Sequence, residues 1–181
     1  MTTLRTLLFA LAIAATPLAT SAATPQSDAE HARLATLAGH WAVVQTMWTS
    51  PGKAPQVDRG SAMITPVLNG SRLRQELHID ARDKPFDGLG YLGYDNASHE
   101  YYSTWMDINF PGIIVATGGY DAAGASYTFR TTLADGVNPG AKIGLREVLH
   151  AIDANHFSYE YHEDRGKGEA LAVRLEYTRV N

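Results

Sequence analysis

Glu147 is the side chain with the strongest chemical potential in this sequence. It is a lone carboxylate in the alternating segment Ile143-Gly144-Leu145-Arg146-Glu147-Val148-Leu149-His150. Period two places it in the apolar row of Ile143, Leu145 and Leu149. A carboxylate taken into an apolar interior is costly unless bonded or protonated, so its pKa is expected to rise. That is the character of a polar ligand anchor or of a general acid/base. The structural alternative is a hydrogen bond to Tyr161 or Gln75. Pairing Ile152 with His156 across the following turn sets Glu147 opposite Tyr161. Gln75 lies between Leu73 and Leu77 in the same manner, and Gln45 between Val43 and Met47. Asp107 is the second catalytic candidate. It shares a face with Tyr101, Ser103 and Trp105, where a strand runs into the connection Ile108 to Gly112. A carboxylate beside an indole suits a ligand contact. The alternative is that Asp107 caps the turn by Asx chemistry with Asn109 while Trp105 fills core.

These residues need a sheet to hold them. After Gly39 the chain reads as about ten short alternating segments joined by turns, the pattern of an all-β antiparallel protein. The connections alternate in length. Asn69-Gly70, Asp95 to Ser98, Asp121 to Gly124 and Asp153 to Asn155 are short. Thr49 to Gly60, Asp80 to Asp87, Ile108 to Gly112, Ala134 to Ala141 and Asp164 to Ala170 are long. In an up-and-down meander this collects hairpins at one end and loops at the other, a cup with a mouth. Asn69-Gly70 predicts a two-residue type I′ turn. Gly88, Gly90 and Gly93 mark a bend or a close backbone approach. The segment Ser50 to Pro55 is the candidate lid. A helix is expected from Ser27 to Ala38, capped by Ser27 or Asp28 and stopped at Gly39, with Leu34 and Leu37 buried as an end plug.

Sorting faces gives further expectations. Leu73, Leu77 and Ile79, then Tyr127 and Phe129, then Phe157, Tyr159 and Tyr161, then Leu171, Val173, Leu175 and Tyr177 point inward. The opposite rows mix charges, such as Arg72, Arg74, Glu76 and His78, and read as solvated surface. A metal site from His150 and His162 is set aside, because the same register puts Arg146 beside His162. No cofactor and no metal are expected.

Residues 1–22 read as a signal peptide, with Arg5, the apolar run Leu7 to Ala15, and small residues at Thr20 to Ala23. The run is too short to span a bilayer, so no membrane insertion is expected after cleavage. Residues 23–33 form a leader and the start of the helix, and residues 34–181 a single barrel domain. The chain has no cysteine, which removes thiol catalysis, thiolate metal sites and disulfides; a domain this long can rely on its core. The formal net charge is −4 with no basic cluster, so nucleic acid is a poor partner. Secretion, into a bacterial periplasm, is the expected destination.

The opening Leu34-x-x-Leu37-x-Gly39-x-Trp41 resembles the helix-then-Gly-x-Trp start of calycin-type barrels such as lipocalins. With Gly90-x-x-Gly93-Tyr94-Asp95, Tyr101, Trp105-x-Asp107, Gly118-Gly119-Tyr120-Asp121 and Glu176-Tyr177-x-Arg179, the chain resembles domain-of-unknown-function family 1579, from about Leu34 to Arg179. The resemblance implies a lipocalin-like barrel and transfers no activity. It also implies structural roles for Gly39, Trp41 and Arg179, the arginine packing over the indole. Haem-binding nitrobindin-like barrels are similar in shape, but this chain lacks the later glycines of their opening motif and an inward histidine near its end.

The expected function is binding of a small apolar or aromatic ligand in the barrel. The contacts would come from Trp105, Asp107, Gln75, Glu147, Tyr161, Tyr127 and Phe129. A small-molecule enzyme of isomerase, cyclase or hydrolase type and a structural scaffold are the alternatives.

Overall fold

The computed structural model describes residues 29–49, 52–81, 84–136 and 138–180. The expected signal segment, leader, helix N-cap and the Ser50-Pro51 part of the lid lie outside the described residues.

One helix, α1 (Ala29–Ala35), precedes ten strands: β1 (Gly39–Met47), β2 (Gln56–Val67), β3 (Arg72–Ile79), β4 (Phe86–Asp95), β5 (Glu100–Asp107), β6 (Phe110–Asp121), β7 (Ser126–Ala134), β8 (Lys142–Asp153), β9 (His156–Asp164) and β10 (Glu169–Val180). Each strand pairs antiparallel with its sequence neighbours, and β1 pairs with β10 from His40↔Val180 to Met47↔Val173, so the barrel is closed. The inward rows are the alternating apolar residues read from the sequence. Trp41, Leu73, Ile79, Tyr127, Phe129, Leu149, Phe157 and Tyr177 are the largest fully buried side chains.

At the hairpin end, α1 and the turn that follows it lay Leu34 and Leu37 into this core. The Glu30 carboxylate accepts hydrogen bonds from Tyr101 and Arg33, and the Arg33 guanidinium lies 4.2 Å from the Tyr120 ring centre. Arg179 ties the same end together. Its guanidinium donates to the carbonyls of Ala38 (2.7 Å), Thr36 (2.9 Å) and Ala154 (2.9 Å) and sits 4.1 Å over Trp41. Trp41 Nε1 donates to the Leu37 carbonyl at 3.1 Å. Gly39 has φ +145°, and a Cβ there would overlap the guanidinium, so this position needs glycine.

Several local expectations are corrected. The helix ends at Ala35, and Gly39 opens β1 instead of stopping α1. The connection after β1 is shorter than Thr49 to Gly60 because β2 starts at Gln56. Ile108 to Gly112 is no loop: β5 and β6 are joined by Ile108-Asn109 alone, because Asp107 Oδ1 accepts from the backbone N–H of Asn109 (2.8 Å) and Phe110 (2.9 Å). The β2–β3 turn has four residues instead of two. Leu68, Asn69 and Gly70 all take positive φ, and the Gly70 N–H donates to the Val67 carbonyl at 3.1 Å. Leu171 leaves the inward row, because a bulge between Leu171 and Val173 pairs it with outward-facing His162. The ladder of β6 with β7 runs only from Asp121↔Ser126 to Thr117↔Arg130, although both strands continue toward the mouth.

Candidate functional site

Glu147 sits in the middle of β8, paired with Phe129 on β7 and Tyr161 on β9. It is 1% exposed. Its partners are not those expected from the sequence. Ser103 Oγ donates to Glu147 Oε2 at 2.5 Å, and the Tyr159 hydroxyl donates to the same oxygen at 2.6 Å. Gln75 instead donates from Nε2 to the Tyr177 hydroxyl at 2.7 Å. Among the described residues, Glu147 Oε1 has no hydrogen-bond partner. Burial pushes the Glu147 carboxyl up from its ordinary range, and the two hydroxyl donors offset only part of that push. Burial beside the same carboxylate raises the Tyr159 and Tyr161 hydroxyls well above the usual phenol range.

Gln75, Ser103, Trp105, Tyr159 and Tyr161 surround an internal void of about 10 Å³, the lower limit for one water. Around Glu147 the barrel interior is therefore packed with its own side chains, as small barrels often are. The cluster offers an acid of raised pKa but no room for a substrate beside it. A general acid/base needs the reacting atom within about 3 Å.

Trp105 explains Gly88 and Gly90 of β4, and Tyr102 explains Gly93. The Trp105 indole lies across Gly88 and Gly90, where a Cβ at either position would collide with the ring. Trp105 Nε1 donates to Asp107 Oδ2 at 3.0 Å. Both Asp107 oxygens are thus engaged, one by the indole and one by the turn. Phe86 stacks on the far side, ring centres 6.5 Å apart. Among the residues expected to contact ligand, the fold gathers Gln75, Trp105 and Tyr161 around the void, with Glu147 and Phe129 directly beside them. Tyr127 lies nearer the helix, packed on Tyr101 (5.0 Å) and Tyr120 (4.8 Å).

The open volume lies at the loop end. A pocket of about 790 Å³ is lined by Met47, Trp48, Leu171 and Val173, with Lys53, Glu163, Arg165, Lys167 and Asn138 among its polar residues. Val173 pairs with Tyr161, so the pocket floor rests on the ring beside Glu147. Arg165 is anchored by Glu163 (2.9 Å) and Asp135 (3.1 Å). None of these mouth residues stands among the ligand contacts expected from the sequence, although the alternation reads Leu171 and Val173 as inward. The β10 bulge at Ala172 that turns Leu171 and Val173 to different sides leaves no mark in an alternating pattern. The basic loop residues Lys53, Arg165 and Lys167 were a usable signal.

A third concavity, about 770 Å³, lies outside the barrel. It spans the cross-strand row His40, Met63, Glu76, Leu89 and Met106. His78 at its edge is held between Asp87 (2.7 Å) and Asp80 (3.2 Å), which raise the imidazole pKa. Among the described residues no group of three or more ligating side chains converges on a metal position.

Fold and site together define a ten-stranded antiparallel barrel, sealed at one end by a helix, packed through its middle and open at its loop end. A family model described as a protein of unknown function (DUF1579) matches residues 26–179, and the chain belongs to that family. No curated protein matches it. Among solved structures it is similar to Rv2717c from M. tuberculosis, at 16% identity and a TM-score of 0.58, over 85% of this chain and 99% of that one. It also matches a redesigned beta barrel at 12% identity and a TM-score of 0.42, over 81% and 94% of the two chains. The likeness to Rv2717c supports the fold alone.

Proposed function

We propose that this chain is an exported, periplasmic binding protein for a small apolar or aromatic molecule that carries an anionic group, held at the barrel mouth. One observation carries the reading: the mouth offers about 790 Å³ with an apolar floor and, at its rim, Lys53 and Lys167 beside an Arg165 already paired with Glu163 and Asp135, within the size of small-molecule pockets. Met47 and Val173 on the inward side of the strands, with Leu171 turned outward by the bulge and Trp48 beside it at the rim, supply the apolar contact. Lys53 and Lys167 supply the charge that selects an anionic head, on a chain whose net charge is −4. The packed cluster of Gln75, Trp105, Tyr161 and Glu147 acts as a rigid base for that floor.

The test is a titration with 1-anilinonaphthalene-8-sulfonate and with dodecanoate, following probe fluorescence and the emission of Trp48. Saturable binding is expected, weakened about tenfold (about 1.4 kcal/mol) in Lys53→Glu/Lys167→Glu. Absence of saturation into the millimolar range, or binding indifferent to the charge reversal, refutes the mouth as an anion-selective site.

A further inference from the structure

We infer that the mouth-side half of β6 is an edge that pairs with β6 of a second copy of this chain. In a closed barrel every strand should use both of its edges. Here β6 pairs with β5 as far as Phe110, but with β7 only from Thr117 onward. Among the described residues, the stretch Pro111–Ala116 therefore has no ladder partner for the backbone N–H and C=O groups on its β7 side. Its counterpart on β7, Thr131–Ala134, has ladder partners among the described residues on β8 alone. Gly118 marks where the strands separate. A Cβ there would overlap the Thr128 carbonyl oxygen, so β6 and β7 cross in close contact at this point and their ladder stops one residue beyond it.

An unpaired strand edge is recognised by an extended strand, through main-chain hydrogen bonds. Charge selects which strand. The chain is acidic overall, so two copies repel except where a surface is neutral. The run Ile108–Gly119 contains no charged side chain. Its outward residues Ile113 and Val115 are 62% and 54% exposed. An antiparallel pairing about a twofold axis at Ile114 sets Ile113 of one copy opposite Val115 of the other, twice over. That is a self-complementary contact between β-branched side chains with no like charges opposed. Natural edges are usually guarded by a lysine or an inward charge. This edge has only Pro111 at its end, which removes one donor and confines the ladder to Gly112 onward. Such a pairing buries a small area, so the dimer is expected to be weak and concentration-dependent.

The experiment is sedimentation equilibrium and light scattering of the full mature chain, from about 1 to about 300 µM, the span in which small interfaces associate. Wild type is expected to shift from monomer to dimer across this range. Val115→Lys places a charge at an already exposed outward position and is expected to remain monomeric throughout, with unchanged far-UV circular dichroism and melting. Ile152→Lys, at an equally exposed apolar residue on the opposite end of the barrel (61% exposed), is expected to dimerise like wild type. A wild type that stays monomeric at the highest concentration overturns the inference. A dimer that survives Val115→Lys, or one abolished equally by Ile152→Lys, also overturns it.

Discussion

Replacing Glu147 by Gln tests the buried acid directly. The carboxyl is 1% exposed, accepts two hydroxyl hydrogen bonds on one oxygen and leaves the other unpartnered, with no cation beside it. Burial raises its pKa in the folded state. In the unfolded chain the same group titrates near about 4.3. Between those two values the native state holds a proton that the unfolded state has released, so stability must fall as pH rises, by about 1.4 kcal/mol per pH unit for one proton. The contribution is complete below the unfolded pKa and is lost as pH climbs through the folded one. In Glu147→Gln this slope is absent. The amide keeps an acceptor for Ser103 and Tyr159, but its NH₂ is buried without an acceptor, a pH-independent cost of about 1–3 kcal/mol. Carboxylates with depressed pKa, such as Asp95, Asp153 and Glu169, impose the opposite slope but are common to both proteins and cancel. The assay is urea unfolding of wild type and variant at half-unit steps from pH 4 to 8, by tryptophan fluorescence. The variant is expected to be the less stable at pH 4 and to close the gap, or overtake, toward pH 8. A stability difference that is flat across this range, or that grows with pH in favour of wild type, refutes the reasoning.

Arg179→Ala removes three charge-assisted hydrogen bonds to carbonyls and the stack on Trp41. It is expected to cost about 2–4 kcal/mol in urea unfolding, and Arg179→Lys is expected to recover little of it, because an ammonium cannot span three carbonyls and stack at once. A loss below about 0.5 kcal/mol would show the clasp to be ornamental. Gly88→Ala drives a methyl group into the Trp105 ring. It is expected to cost about 1–3 kcal/mol and to red-shift tryptophan emission as the indole leaves its seat; an unchanged spectrum and melting point would contradict the packing of β4 on β5.

The barrel was legible because its signals are local. Alternation in Leu73-Arg74-Gln75-Glu76-Leu77-His78-Ile79 sorts faces whatever the partner strand, and the Gly-x-Trp opening with a terminal arginine returned as the Trp41–Arg179 stack. The inward position of Glu147 and its pairing with Tyr161 followed from the same period and from one turn. That turn contains a bulge between Ala151 and Asp153, so the right pairing at Glu147 was reached although the assumed contact of Ile152 with His156 does not occur. The hydrogen-bond partners were not legible. Ser103 comes from β5, three strands away around the ring, and depends on how side chains meet across the barrel axis. The void was equally hidden, because the volume left by Trp105 depends on the glycines opposite it and on the tilt of the strands.

The aspartates link these observations. Asp95, Asp107, Asp121, Asp135, Asp153 and Asp164 each stand at or just beyond a strand end and accept hydrogen bonds from backbone N–H groups of the following turn. This is Asx-turn chemistry at six of the nine connections between strands. For Asp95 and Asp153 the backbone donors are also what hold the carboxyl below its usual range. Much of the acidity that gives the chain its negative charge is therefore committed to turning the backbone, and Asp107 belongs to this set even though it also receives the Trp105 indole. Glu147 differs in kind: it faces the barrel axis, receives no backbone N–H, and keeps one oxygen without a partner. A carboxylate serving structure alone would be matched on both oxygens, as Asp107 is. The mismatch at Glu147, one residue layer beneath the floor of the mouth, is where the packed barrel retains unspent hydrogen-bonding capacity.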